Sequence, residues 1–314
     1  MSAPAETTHG STCRQIFVTG GKGTPFWRGR GCRPGDAPRN GRTAGRARAT
    51  CYGNAMPHDP HGTPRDSRLL ALDFDGVIAD SAPECFTVAC ATWRSLEPES
   101  RLLAPGAEPL RDAFMALMPL GNRAEDFGIA LRILAEGASV ASQAEYDAFR
   151  ETLEPAWLRA FHKRFYRERA ALAAADREAW LRQMGPYPPV VSTLRRLSGR
   201  IELAIATAKD RRTVRILLGE YGISDLFASG RVLDKETGAS KANHMERLRD
   251  ELGVSYEAIT FIDDKLNHLD AVAGLGVRCV LAGWGYNGAR EVELARARGY
   301  PVWSPADLEA GVFA

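Results

Sequence analysis

The most constraining feature of this sequence is a short apolar run that leads into two aspartates and a glycine. Leu69–Leu72 is apolar without alternation, which is typical of a strand buried on both faces of a parallel sheet. Asp73 and Asp75 follow it and face the same way if the strand geometry continues, and Gly76 permits a sharp exit of the chain. Open α/β sheets bind ligands at the carboxyl ends of their strands. Because two nearby carboxylates repel each other, the stretch predicts a site that holds a cation or a shared proton.

Two later stretches repeat this pattern of an apolar strand that ends in polar groups. Residues 201–206 lead to Thr207, and residues 258–262 lead to Asp263 and Asp264. Helical patterns separate these stretches, and the alternation predicts an α/β fold with a doubly wound parallel sheet. We therefore expect these side chains to meet at one edge of the sheet.

The order of these segments resembles the haloacid dehalogenase-like (HAD) superfamily, over about residues 68–304. The first motif of that superfamily reads DxDGxxxDS, and residues 73–81 match it. Within the superfamily, the sequence most resembles the phosphoglycolate-phosphatase-like members. The resemblance implies a Rossmann-like sheet core, at residues 67–81 and 186–314, with an inserted α-helical cap of the C1 type at residues 82–185.

The region of the implied cap is rich in helical patterns broken by prolines and glycines. The predicted helices are 83–96, 107–118, 123–136, 141–152, 155–172 and 176–184. Arg123 follows a loop that contains a glycine, and it is our candidate for contact with an anionic substrate. Arg164, Arg167 and Arg169 are predicted to form a solvated helix face.

The resemblance also implies roles for the polar groups at the strand ends. Asp73 matches the nucleophile and Asp75 the general acid/base, while Thr207 matches a phosphate-binding hydroxyl. Lys241 matches the phosphate-binding lysine, because it precedes a helix and lies 22 residues before the fourth motif. We prefer it to Lys235, which competes for the same role.

The fourth motif is implied to complete a magnesium site. Mg²⁺ is a hard cation that prefers oxygen ligands. The implied metal ligands are Asp73, the backbone carbonyl of Asp75, Asp263 and Asp264. His268 stands where many members of the superfamily have a second acid. Three alternatives remain open there: Asp270 replaces the acid, His268 orients a bound water, or His268 is an ordinary residue at the start of a helix.

Residues 1–66 differ in composition from the rest of the chain. The first 55 residues hold eight Arg and one Lys against one Glu and one Asp, whereas the whole chain has a net charge of only +2. This Gly- and Arg-rich segment has almost no apolar periodicity, so we predict that it is disordered. A natural start at Met56 is an alternative. The basic character lies outside the predicted fold, so no nucleic-acid partner is expected.

Hydropathy and cysteine usage exclude further classes of protein. No apolar run approaches the roughly 18 residues of a membrane span, so no membrane partner is expected. The six cysteines are scattered without a CxxC pair. This pattern indicates neither a disulfide framework nor a zinc site, and it favours a reducing, cytoplasmic compartment. The sequence has no signature of an oligomeric state.

The predicted function is a magnesium-dependent phosphatase that acts on a small phosphorylated metabolite through an aspartyl-phosphate. Asp75 argues against dehalogenation, because a departing halide needs no proton and dehalogenases of the superfamily lack this second acid. One alternative is a sugar-phosphate mutase, and another is a phosphonate-cleaving enzyme with Lys163 as the Schiff base. A third is a non-catalytic HAD-fold binding protein.

Overall fold

The computed structural model describes residues 68–103, 110–121, 123–234, 236–238 and 240–314. The predicted disorder of residues 1–66, the alternative start at Met56 and the competing Lys235 lie outside the described residues. Within those ranges, no helix is long and apolar enough to cross a membrane.

A parallel sheet organises the described chain. The strands are β1 (Leu69–Leu72), β2 (Ala79–Asp80), β3 (Gly185–Pro186), β4 (Glu202–Ala206), β5 (Val232–Leu233), β6 (Ile259–Asp263), β7 (Arg278–Ala282) and β8 (Val302–Trp303). Six of them form one sheet in the order β5-β4-β1-β6-β7-β8, with every pairing parallel. Leu72 of β1 lies opposite Ile205 on one side and Ile262 on the other. The predicted doubly wound α/β fold is thereby confirmed.

Twelve α-helices are described around and beside this sheet. They are α1 (Ala82–Leu96), α2 (Leu110–Leu117), α3 (Ala124–Glu136), α4 (Gln143–Glu151), α5 (Pro155–Ala175), α6 (Arg177–Leu181), α7 (Pro188–Leu197), α8 (Arg211–Glu220), α9 (Lys241–Leu252), α10 (Leu266–Ala273), α11 (Ala289–Ala297) and α12 (Leu308–Phe313). The six helical patterns predicted between the first two motifs correspond to α1–α6. The pattern analysis did not predict α12.

The first strand shows why an unbroken apolar run suits this fold. Leu70 and Leu72 belong to the hydrophobic cluster that includes α7 and α8. Leu69 and Ala71 belong to the cluster on the opposite face, which includes α9 and α10. Because successive side chains of a strand point to opposite faces, a strand covered on both sides needs apolar residues at every position.

The helices α1–α6 form a cap with its own hydrophobic cluster. Trp93, Phe114 and Phe161 are among its fully buried side chains. The chain enters the cap through β2 and leaves it through β3, and these strands pair antiparallel, with Ala79 opposite Pro186. Both connections between cap and sheet therefore lie side by side. Strands of two residues have no periodicity to detect, so the sequence did not reveal this pairing.

Candidate active site

A buried lysine joins the ends of three neighbouring strands. The backbone N–H of Asp73 donates to the carbonyl of Ile262 (2.9 Å), which extends the pairing of β1 with β6 by one residue. The ammonium of Lys241 lies 2.9 Å from Asp73 Oδ1 and 2.9 Å from Asp263 Oδ2. It also donates to the carbonyl oxygen of Ala206 (2.6 Å). All three donors of the ammonium thus have acceptors. The structure therefore brings together three of the predicted site residues, Asp73, Lys241 and Asp263.

The two aspartates in contact with Lys241 have opposite pKa shifts. Burial raises the pKa of Asp73, although the neighbouring Lys241 opposes this effect. For Asp263, burial is outweighed by His268 and Lys241, which together hold the pKa of its carboxyl well below the usual range. These contacts favour the anionic form of Asp263, which holds the lysine in place.

A second ion pair fixes the other predicted catalytic carboxylate. Lys209 Nζ lies 2.9 Å from Asp75 Oδ1, and the Ser81 hydroxyl donates to the same oxygen. Burial alone would raise the pKa of Asp75, but Lys209 and the Ser81 hydrogen bond lower it. The backbone N–H of Lys209 also donates to Thr207 Oγ1 (3.1 Å). Lys209 was not among the predicted site residues.

Asp264 lies in a cradle made by two glycines. A Cβ on Gly76, whose φ is +81°, would lie 2.4 Å from Asp264 Oδ2, and a Cβ on Gly285 would lie 2.3 Å from Asp264 Cβ. The backbone N–H of Tyr286 donates to Oδ2 (2.8 Å). Oδ1 is buried, and no described residue hydrogen-bonds to it. A buried acceptor without a donor is costly, so this oxygen suits a bound cation.

The charges around the strand ends also favour a cation. Burial raises the pKa of Asp264 to about 7, and Asp263 and Asp73 contribute, although Lys265 opposes them. The buried or ion-paired carboxylates here are Asp73, Asp75, Asp263 and Asp264, and the buried lysines are Lys209, Lys241 and Lys265. Four carboxylates thus meet three ammonium groups and the ring of His268. A bound cation would lower the pKa of Asp264.

The structure excludes one of the three alternatives for the missing second acid. His268 Nδ1 lies 3.0 Å and 3.1 Å from the two carboxylate oxygens of Asp263. Asp270 is exposed on α10 and bonds to Arg298 (2.7 Å) and Tyr300 (2.9 Å). The alternative that Asp270 replaces the acid is wrong, because the helix directs its side chain to the surface. His268, Asp73 and Asp263 instead offer ligand atoms within 4.8 Å of one another.

A cavity of about 560 Å³ extends from these groups to the cap. Asp75, Thr207 and Lys241 line its sheet side, and Arg123 lies on its cap side. A smaller cavity of about 60 Å³ includes Asp73, Asp264 and Tyr286. Lys163 is exposed and does not line either of these cavities, so the geometry gives no support to a Schiff base from this lysine.

The prediction that Arg169 lies on a solvated arginine face is wrong. Arg167 is exposed, but Arg169 lines the large cavity. Its guanidinium forms two hydrogen bonds of 2.7 Å with the fully buried carboxylate of Glu84. Trp180 Nε1 donates to the same carboxylate (3.1 Å). Arg169 is turned inward because Glu84 needs a counter-charge that water cannot supply.

The glycine cradle makes a testable prediction about stability. Gly285→Ala is expected to lower the free energy of unfolding by about 1–3 kcal/mol, because the new methyl group would overlap Asp264 and displace it. Gly274→Ala is the matched control, since a Cβ there meets nothing within 4 Å and φ is −63°. That change should be neutral or stabilise by about 0.4–1 kcal/mol. Urea unfolding measures both, and equal midpoints would contradict the cradle.

A doubly wound sheet with carboxylates at its strand ends, covered by an inserted helical cap, defines a capped α/β protein with an acidic site. The family model described as haloacid dehalogenase-like hydrolase matches residues 68–276. The chain therefore belongs to the haloacid dehalogenase-like hydrolases, and the resemblance found in the sequence is confirmed.

Solved structures share this fold at low sequence identity. A haloacid dehalogenase-like hydrolase from Streptococcus pneumoniae has a TM-score of 0.56 at 16% identity, covering 78% of this chain and 97% of that one. A predicted phosphoglycolate phosphatase from Haemophilus somnus has a TM-score of 0.53 at 19% identity, covering 77% and 96%. A predicted phosphatase from Clostridium acetobutylicum has a TM-score of 0.52 at 14% identity, covering 79% and 98%. These similarities establish the fold alone.

Curated relatives match a shorter part of the chain. The tyrosine-protein kinase PtkA of Mycobacterium tuberculosis is 30% identical over 103 residues, which is 32% of this chain and 34% of that protein. PtkA of Mycobacterium bovis matches to the same extent. The chain thus spans about a third of the length of these relatives.

Proposed function

We propose that this protein is a magnesium-dependent phosphatase that cleaves a small phosphate monoester through an aspartyl-phosphate on Asp73. The observation that carries the proposal is the pairing of Asp73 with Lys241 beside Asp264, whose buried Oδ1 has no described hydrogen-bond donor. This combination supplies a nucleophile and a place for a metal in the smaller cavity, and a fixed cation that lines the larger one; Asp75 and Thr207 line both cavities.

Asp73 is oriented for attack by its two donors. Lys241 Nζ and the backbone N–H of Phe74, at 2.9 Å and 2.8 Å, both contact Oδ1. No described residue donates to Oδ2, so this oxygen is the better nucleophile. It forms a bond to phosphorus as the bond from phosphorus to the leaving oxygen breaks. Water then attacks the same phosphorus, and breaking the bond to Oδ2 releases phosphate and restores the carboxylate.

In this proposal, Asp75 moves the proton in both steps. It gives a proton to the leaving oxygen and later takes one from the attacking water. Lys209 and Ser81 hold it as a carboxylate, which is the form that the second step requires. The first step requires the protonated form, so Asp75 must gain a proton before the ester is cleaved.

Cations and a hydroxyl bind the phosphoryl group in this proposal. Thr207 is buried at the end of β4 and lines the cavity with Lys241. The three donors of Lys241 already have acceptors, so the lysine stabilises negative charge on the oxygens of the transferring group through its own positive charge. Such preorganised electrostatics is a major part of phosphoryl transfer. Arg123 lies at the cap side of the cavity, where it can contact an anionic leaving group.

The residues present fit a bound Mg²⁺. Asp73, Asp264 and the backbone carbonyl of Asp75 would hold it, and Asp264 Oδ1 supplies an oxygen without a described donor. Asp263 is a weaker candidate, because both its oxygens already accept hydrogen bonds. When bound, Mg²⁺ would reduce the repulsion between an anionic phosphate and an anionic nucleophile.

The test is hydrolysis of p-nitrophenyl phosphate by the full chain, with Mg²⁺ or with EDTA. We expect turnover with Mg²⁺ and at least a roughly 100-fold loss with EDTA that is restored by added Mg²⁺. Phosphate release is measured beside nitrophenol release, and equal amounts identify a hydrolase. Turnover that persists in EDTA contradicts the metal dependence. Conversion of a sugar phosphate to its isomer without phosphate release would establish the mutase instead.

A further inference from the structure

Helix α5 presents one stripe of side chains to the large cavity. His162, Phe165, Tyr166 and Arg169 all line that cavity. They are spaced as i, i+3, i+4 and i+7, which places them on one face of a helix. Each of these side chains ends in a planar π system: an imidazole, a phenyl ring, a phenol ring and a guanidinium. We call this set the planar stripe.

The planar stripe is held in place by its own contacts. The rings of His162 and Tyr166 lie 5.1 Å apart, and those of Phe165 and Tyr166 lie 5.9 Å apart. The Arg169 guanidinium lies 4.8 Å from the Phe165 ring and 5.7 Å from the Tyr166 ring. Glu84 fixes that guanidinium with two hydrogen bonds. The surface is therefore ordered before any ligand arrives, which reduces the entropy cost of binding.

Packing of the cap core accounts for only part of the stripe. Phe165 is 1% exposed and belongs to the cap cluster. Tyr166 is only partly buried, and the His162 side chain is 50% exposed. The cavity of about 560 Å³ has the size of sites for drug-sized ligands, and a phosphoryl group with a two-carbon leaving group would leave most of it empty.

We propose that the substrate of this site is a phosphate monoester whose leaving group carries a planar ring, which packs against the planar stripe while the phosphate lies at Asp73. The proposal rests on the proposed function for the position of the phosphate. Aromatic side chains and guanidinium planes both stack on flat rings. Two kinds of ester share this chemistry: aryl or arylmethyl phosphates, and nucleoside 5′-monophosphates, in which a sugar separates ring and phosphate.

Substrate pairs that differ only in the ring provide the test. Adenosine 5′-monophosphate is compared with ribose 5-phosphate, and benzyl phosphate with cyclohexylmethyl phosphate. We expect kcat/KM to favour the member with the planar ring, adenosine 5′-monophosphate or benzyl phosphate, by about tenfold or more, the order of one stacking contact. The pair with the larger ratio identifies whether the ring lies one sugar away from the phosphate or next to it. Ratios near one for both pairs would overturn the proposal.

Variants of the planar stripe separate stacking from general binding. Tyr166→Leu keeps an apolar side chain but removes the ring, and His162→Gln is a second change at a more exposed position. Each should reduce the ring preference severalfold. Phe149→Leu is the matched control, because Phe149 packs in the cap without lining this cavity, and it should keep the wild-type ratio. An undiminished preference in both stripe variants would refute the assignment to α5.

A binding measurement distinguishes failure of this proposal from failure of the proposed function. The affinities of the Asp73→Asn full chain for the same four esters are measured by calorimetry with Mg²⁺ present. Ring preference in binding without turnover by the wild type would support the planar stripe and refute the phosphatase. Turnover by the wild type without ring preference would support the phosphatase and refute the planar stripe as a binding surface.

Discussion

Asp73→Asn is expected to lower kcat for p-nitrophenyl phosphate by at least about 10³-fold, because an amide cannot replace a carboxylate as the nucleophile. The fold should persist, since the amide has nearly the same shape as the carboxyl group. Burial already raises the pKa of Asp73, so a neutral group is tolerated at this position. Steady-state kinetics with Mg²⁺ measures the loss. Far-ultraviolet circular dichroism and a urea unfolding curve establish that the variant is folded.

The matched control for this change is Asp270→Asn. Asp270 is an exposed acid on α10 that bonds to Arg298 and Tyr300, outside the described site. It should retain nearly all of the wild-type turnover, and its stability should change by no more than about 0.5 kcal/mol. A folded Asp73→Asn protein with a tenth or more of the wild-type kcat would exclude Asp73 as the nucleophile.

Lys241→Met is expected to have the largest effect on stability, lowering the free energy of unfolding by about 3 kcal/mol or more. The lysine side chain is 4% exposed and contacts two buried carboxylates. Without it, Asp73 and Asp263 face each other in a buried site, so at least one of them must take up a proton or the site must open. A domain is typically stable by only about 5–15 kcal/mol, so this loss would be a large fraction.

Urea unfolding in EDTA measures this effect without a contribution from bound metal. Lys163→Met is the control, because Lys163 is exposed on the cap, and its midpoint should shift little. The Lys241→Met protein should also lose affinity for inorganic phosphate, measured by calorimetry with Mg²⁺. If the urea midpoint of Lys241→Met equals that of the wild type, the burial of Asp73 and Asp263 does not depend on the charge of the lysine.

The parts of the site that the sequence predicted are those tied to strand ends. Asp73, Thr207, Asp263 and Asp264 each follow a short apolar run, and the carboxyl ends of parallel strands converge on one edge. Their proximity is therefore a consequence of topology. Lys241 could be added because a helix begins there, at a fixed separation from the fourth motif.

The contacts that escaped prediction depend on tertiary packing. Lys209 pairs with Asp75 across 134 residues of sequence, and no local pattern selects that partner from the other lysines. Gly285 is one glycine among 30, and only the close approach to Asp264 distinguishes it. Arg169 was predicted to lie on the solvated face with Arg164 and Arg167, yet its spacing from His162 and Phe165 was a usable signal for the opposite face.

The pairing of β2 with β3 has an evolutionary consequence. The chain leaves the sheet at Ala79–Asp80 and returns at Gly185–Pro186, and these segments are hydrogen-bonded neighbours. An insertion whose two ends meet can be lengthened, shortened or exchanged without changing the spacing between the strands it interrupts. Evolution can thus exchange the whole helical cap as one segment, and change which ligands the cavity accepts, while the residues at the strand ends of the sheet stay the same.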